Sequence, residues 1–412
     1  MKKFSLLLNY IVICCLIGAG TAGAQDEIFS ISQNTAFSNY RPEIAVNPAS
    51  GDAVVVWRQY DSKTESSSIY ACYCKYLGAG KFKAGKPRLL SEGKGRNEFA
   101  SVAYDPVSKS FLVVWDKLEW FSAPTSKAFN ILARRLNAKG RIKGGEIHIT
   151  DSKDDQSEQP AIVSRAVADG APAGSGGFLV MWVHYPMTSG GLKRGICAVT
   201  VNAKGKLTSE PQNVFEPPAK SGFYNEVWLY KVAIGKAGNC ILTFFLWYSD
   251  ESDETWLAEV DLAGNGLKSL KIADEYLSGG LATTLSSKLY LFSWTERYEA
   301  DFFHQLVKAN LKKKKKPFTT TGEYAFSELV GMELDGGGAY LVAFESSHVD
   351  ICRFNQRGKL VGSRVTKDLS VYVSSFYDCV LLPDGKCLVS SSRNKGSGNY
   401  DSEVFGFTLD LE

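Results

Sequence analysis

The chain has 412 residues, and its 47 Lys and Arg nearly balance 44 Asp and Glu, for a net charge of +3. That balance supplies no global field to recruit nucleic acid or an anionic membrane, so neither partner is expected. Length alone permits two domains, but closed all-β folds exceed the usual domain size as single units.

The first predicted element is a leader. Lys2 and Lys3 precede an apolar run from Phe4 to Ile17 broken by one Asn, and Ala22-Gly23-Ala24 follows. This is the order of a secretory signal peptide, with cleavage expected before Gln25. The apolar stretch is shorter than the roughly 20 residues of a spanning helix, so no transmembrane span is expected. Cys14 and Cys15 lack the small preceding residue that lipoprotein processing favours. Beyond the leader stand seven cysteines (Cys72, Cys74, Cys197, Cys240, Cys352, Cys379 and Cys387), an odd number that rules out a disulfide scaffold. Cys379 and Cys387 flank the turn LLPDGK, where a bridge and two buried thiols are both open readings. Cys72 and Cys74, two apart in an apparent strand with no nearby histidine, make a poor zinc site.

From residue 26 on, the pattern repeats. EIAVNPASGDAVVVW, ending at Trp57, and SVAYDPVSKSFLVVW, ending at Trp115, each read as a strand, a Pro/Asp/Ser/Gly turn and a second strand closing on Trp. Weaker copies close on Trp182, Trp247, Trp294, Phe344 and Ser391, a mean step of roughly 56 residues, near the length of blade-forming β repeats. A third strand follows in NILARRLNAKG, GICAVTVNAKG and DICRFNQRGK, and a fourth in PRLLSE, EIHIT, QNVFE, LKIAD and SRVTK. Second strands such as FLVVW are apolar at successive positions, so both faces are buried, which radial stacking of sheets achieves. The expected architecture is therefore an all-β, seven-bladed β-propeller of four-stranded antiparallel blades, with six or eight blades as alternatives. The blades span 41–94, 97–151, 157–216, 224–276, 278–321, 324–370 and 371–412. The last has only three strands of its own, and strand 26–32 (EIFSIS) supplies its fourth, closing the ring.

The unit FLVVW, polar loop, NILARRLNAKGRIKGGEIHI resembles the repeats of secreted bacterial surface β-propellers, in which an "fLVvW" strand precedes an "i.ar.ln..G" strand and an "e..i" strand. The resemblance is strongest over 41–150 and fades beyond 275. It implies an exported propeller, secreted, periplasmic or on the bacterial surface, and it implies no reaction.

Chemical motifs are scarce. Four histidines occur (His148, His184, His304 and His348), and GxSxG, P-loop, HExxH and Asp-box patterns do not. DGGG at 335–338 reads as a β-turn, KKKKK at 312–316 as a solvated hairpin tip, and VADGAPAGSGG at 167–177 as a flexible loop. The closing Trp series reads as packing. What remains is position: the loops after the second strands and the starts of the first strands share one face of a propeller, and loops on a rigid scaffold concentrate binding residues. On that face the sequence offers the aromatics Tyr40, Tyr60, Trp120, Tyr185, Tyr248 and Tyr298, and a ring of carboxylates, Glu98, Glu158, Glu226 and Glu328, at one blade position. Clustered carboxylates raise one another's proton affinity and attract a cation such as Ca²⁺ or an amine; the competing expectation is that each Glu pairs with a local donor. The functional expectation is a non-catalytic binding or scaffold propeller, monomeric, taking a protein or glycan. A glycosidase-like enzyme using loop carboxylates and a lectin-like or metal-dependent binder are the alternatives.

Overall fold

The computed structural model describes residues 28–33, 37–93, 95–120, 127–153, 155–166, 176–186, 194–218, 225–234, 239–248, 253–275, 278–295, 301–321, 329–334, 337–373, 377–394 and 402–411. The expected leader and most of the 167–177 loop lie outside them.

Every regular element described is a strand. After β1 (Phe29–Ser30) come β2 (Ser38–Val46), β3 (Ala53–Asp61) and β4 (Ser66–Gly78), with two short pieces, β5 (Lys81–Ala84) and β6 (Arg88–Leu89), both paired to β4. The next unit is β7 (Arg96–Asp105), β8 (Ser110–Trp120), β9 (Lys127–Asn137) and β10 (Ile142–His148). Then follow β11 (Gln156–Ser164), β12 (Phe178–Tyr185), β13 (Gly195–Val201) and β14 (Gln212–Phe215), and β15 (Asn225–Ile234), β16 (Asn239–Tyr248), β17 (Glu254–Asp261) and β18 (Gly266–Ala273). The last units are β19 (Ser278–Ser286), β20 (Leu289–Thr295), β21 (Phe302–Lys308) and β22 (Lys313–Thr320); β23 (Val330–Glu333), β24 (Ala339–Phe354) and β25 (Val365–Val373); and β26 (Tyr377–Leu381), β27 (Cys387–Asn394) and β28 (Ser402–Leu409).

Local chemistry explains the repetition. Asn137 and Asn202 each accept, through Oδ1, the amides two and four residues ahead at 2.9 to 3.0 Å, and Gly140 (φ 62°) and Gly205 (φ 83°) take the left-handed position that closes each turn. Asp261 and Asn355 build the same turn. Gly337 and Gly338, also at positive φ, close the 334–338 turn, as expected for DGGG.

The architecture is an all-β propeller with antiparallel four-stranded blades. The strands are nevertheless grouped into six sheets, not seven separate ones. Four sheets have four strands; β2 to β10 form one sheet of nine, and β23, β24 and β25 one of three. The nine-stranded sheet is joined by a single parallel partnership, Ser67 with Arg96, where the start of β7 grazes β4. The three-stranded sheet contains a strand folded on itself. A Cβ on Gly338 would lie 2.3 Å from the Phe354 carbonyl oxygen, whereas 16 extended residues would part the ends of β24 by about 50 Å.

Both faces of the middle strands are buried, as their unbroken apolar runs require. Leu179, Met181 and Val183 of β12 pack with Leu242, Phe244 and Leu246 of β16. Phe178, Val180 and Trp182 pack the other way, with Leu112, Val114 and Ile131. β1 lies outermost beside β28, pairing Phe29 with Gly406 and Ser30 with Phe405, so the N-terminal strand completes the sheet of the C-terminal strands.

Three expectations need correction. Trp57, Trp115 and Trp182 are buried packing residues, but Trp247 is 50% exposed, because Leu246 takes the packing position on β16 and a one-residue offset turns Trp247 to the opposite face. The same offset buries Tyr248, whose hydroxyl donates to Glu254 Oε2 at 3.0 Å. The lysine run is no hairpin tip: from Lys313 on it lies in β22, the outer strand beside β21, where lysines blunt an edge.

Candidate functional site

β2, β7, β11, β15, β19, β23 and β26 form a circuit in which each contacts the next, around to β26 against β2. They enclose a cavity of about 550 Å³ on the axis. Its charged lining is mixed: Arg41 and Lys231 against Glu43, Glu333 and Asp378. Lys231 Nζ reaches from β15 to Asp378 Oδ1 on β26 at 3.6 Å, and Asp378 Oδ2 accepts the Ile44 amide at 3.0 Å. A smaller cavity of about 210 Å³ adjoins it and is lined by Arg41, Phe99, Gln159, Trp228, Leu329 and Tyr377, among others.

Bulges shape the mouth. The register against the second strand slips between Tyr40 and Glu43, Asn97 and Ala100, Glu158 and Ala161, Leu229 and Lys231, and Ser278 and Leu281. A bulge inserts a residue and re-aims the side chains beyond it. Arg41 (φ 50°) and Gln159 (φ 53°) sit in left-handed backbone at two of these slips. Arg41, Phe99 and Gln159 thereby line both cavities, with the Arg41 guanidinium 4.1 Å over the Phe99 ring. None of the three was singled out from sequence. The available signal was proline, at Pro42 and Pro160, which within an apparent strand marks a bulge.

Of the expected carboxylate ring, Glu98, Glu158 and Glu226 lie among the described residues. Glu98 pairs with Arg58 at 3.4 Å and with Arg96, and Glu226 Oε2 accepts the Trp228 indole at 3.2 Å. Glu158, half-buried on β11, has no hydrogen-bonded or ion-paired partner among the described residues. Its carboxyl is held above the ordinary value by burial first, then by the charges of Glu98 and Glu226. The nearby Asp116, just past Trp115 in the middle of β8, was also missed. It is buried, Oδ2 accepts the Gln159 amide at 2.9 Å, and Oδ1 has no partner among the described residues. Burial pushes its carboxyl well above the ordinary 3.8, with Glu98 and Glu158 adding to the effect. Among the described residues no three His, Cys, Asp or Glu side chains stand together as a metal site. Glu328 and Tyr298 and the side chain of Trp120 lie outside the described residues.

Of the aromatics, Tyr185 serves its neighbour: its hydroxyl donates to the Val227 carbonyl at 2.9 Å and accepts the Val227 amide at 3.1 Å, tying β12 to β15. Tyr60 lies under the Arg58 guanidinium (5.3 Å), and Tyr40 is half-buried beside Arg58 in the β2–β3 register. Tyr248 is withdrawn into the core. All seven cysteines beyond the leader are buried and unbonded, Cys379 and Cys387 included.

No protein-family model matches the chain, and no curated protein matches it in sequence. Solved structures share its fold. A fungal alcohol oxidase of the AA5 family in complex with copper is 9% identical with a TM-score of 0.53, over 93% of this chain and 76% of that one. The NanB sialidase of Streptococcus pneumoniae is 13% identical with a TM-score of 0.51, over 93% and 70%. At such identities the likeness is one of fold, and the residues at the mouth have to be argued on their own chemistry.

Proposed function

We propose that this chain is an exported seven-bladed β-propeller that binds a protein or glycan partner at the mouth of its central channel. The count of seven is supported by the single parallel link in the nine-stranded sheet, by the folded-back β24, and by the circuit of first strands. Export is supported by the leader pattern of residues 1–24. The observation that carries the binding reading is Glu158: a half-buried carboxylate without a hydrogen-bonded partner among the described residues, set between two carboxylates that have theirs. Burial and the two neighbouring charges disfavour its ionised form, and a ligand's amine or hydroxyl relieves that cost. Binding is favoured over turnover because the described Ser–His contacts, Ser157 with His184 and Ser293 with His304, lie between fully buried side chains.

A glycan array probed with the chain lacking residues 1–24 tests this reading, alongside Glu158→Gln. Retention of at least one glycan class or surface protein, weakened by Glu158→Gln at unchanged melting temperature, is the expected result. Indifference to that substitution removes the mouth from consideration. The raised proton affinity of Glu158 also suits a general acid. Release of reducing sugar by the wild type and its loss in Glu158→Gln is the outcome that makes the protein a glycosidase.

A further inference from the structure

The one-residue offset leaves Trp247 uncovered at one end of a β15–β16 face whose other end, at Ile241, is buried in the core. Glu226 stands opposite Trp247, and Trp228 opposite Phe245. Residues two apart on paired strands project to the same side, so these four side chains share one face. The residues between them, Val227, Phe244, Leu246 and Tyr248, fill the core against β12. Trp228 and Phe245 stack with centroids 6.0 Å apart and planes 4° from parallel. The Trp228 indole nitrogen donates to Glu226 Oε2, and Glu226 Oε1 carries no bond among the described residues. Beside this pair Trp247 is 50% exposed. An exposed large apolar side chain held rigid by a strand and flanked by a carboxylate is a recognition element in form.

We propose that Trp247, Trp228 and Glu226 form a carbohydrate platform that takes one pyranose ring of a glycan, with the sugar's C–H face on the Trp247 indole and its hydroxyls donating to Glu226. This rests on the mouth reading above and names the ligand class for its β15–β16 side. One observation favours a sugar over a protein: a protein hot spot sits within an apolar surround that excludes water, whereas this indole stands beside a carboxylate oxygen with spare acceptor capacity.

The test is calorimetry of the chain lacking residues 1–24 with cellohexaose, chitohexaose, xylohexaose and mannohexaose, repeated on Trp247→Ala, Trp247→Tyr and Glu226→Gln. At least one oligosaccharide is expected to bind. Trp247→Ala should weaken it about tenfold and Glu226→Gln by a similar factor, while Trp247→Tyr keeps most of the affinity. Thermal melts of the exposed-site variants should match the wild type. Binding by none of the four sugars, or a bound sugar indifferent to Trp247→Ala, overturns the platform. If that sugar is instead lost in Glu158→Gln, the mouth reading survives alone. If no sugar binds but a surface protein is retained through Trp247, the face is a protein interface and the carbohydrate assignment fails.

Discussion

At the scale of single residues, two tryptophans and two asparagines lock the first units together. Trp57 Nε1 donates to Asn39 Oδ1 at 2.9 Å and Trp115 Nε1 to Asn97 Oδ1 at 3.1 Å. Each Asn also donates its amide nitrogen to the carbonyl of a serine at the start of the neighbouring third strand, Ser402 for Asn39 and Ser67 for Asn97. Asn97→Ala orphans a buried indole and a backbone carbonyl together, so a loss of about 2 to 4 kcal/mol is expected in urea unfolding. A loss under half a kilocalorie would mean that the lock is idle. Asp116 carries a pH signature. Its folded-state proton affinity is raised, so its contribution to stability is complete below the ordinary 3.8 and is lost as pH rises through the folded value. Asn at that position keeps an acceptor for the Gln159 amide and has no charge to bury. Urea midpoints of wild type should therefore fall relative to Asp116→Asn as pH rises from about 4 towards neutrality. Parallel profiles would show that Asp116 is not a buried acid. Three thiols are quiet: burial pushes Cys197 and Cys240 up to about 12 and Cys352 up to about 11. Native protein should resist thiol reagents until denaturant is added.

At the scale of elements, register decides what each strand presents. On β16 the packing Trp of β3, β8, β12 and β20 is replaced by Leu246, and one step in sequence separates a core side chain from an exposed one. The bulges work the same way on the first strands, where Arg41 and Gln159 displace their neighbours Tyr40 and Glu158 from the cavity lining. β1 is a different kind of element, two paired residues holding a sheet edge. Phe29 and Ile31 pack on Gly406, where a Cβ would lie 2.6 Å from Phe29 Cζ, and Ile31 is fully buried. Truncation to residue 35 should strip the cover from β28, lower the melting temperature by several degrees and promote aggregation. An unchanged melt and a monodisperse product would refute the role of β1 in closing the ring.

At the scale of the whole molecule, stability depends on contacts between distant parts of the chain. Asp378 on β26 holds the Ile44 amide of β2 next to it and Lys231 of β15 across the axis. Asp378→Ala leaves a buried amide unpaired and should cost about 1 to 3 kcal/mol, whereas Lys231→Met removes only a partly exposed ion pair and should cost about 1 kcal/mol or less. Chemical denaturation of both variants measures the difference; equal losses would mean that the ion pair, and not the amide, is the link that counts.

The repeat, the strand-dominated architecture and the burial of both strand faces were legible in the sequence because they are written locally. FLVVW and AVVVW must be covered on two sides wherever they lie, and NAKG must turn wherever it occurs. The pairing of β1 with β28 was legible for a related reason, since the last unit has a strand too few and the first residues have one to spare. The mouth was less legible. Reading first strands as unbroken placed Tyr40 and Glu158 where Arg41 and Gln159 stand, because side chains alternate every residue and one inserted residue exchanges the faces. Asp116 drew no attention because its burial comes from the neighbouring unit's Gln159 amide, 43 residues on. The pairing of Lys231 with Asp378 has no sequence signal at all: the two meet only because the circuit of strands brings β15 and β26 to opposite walls of one channel.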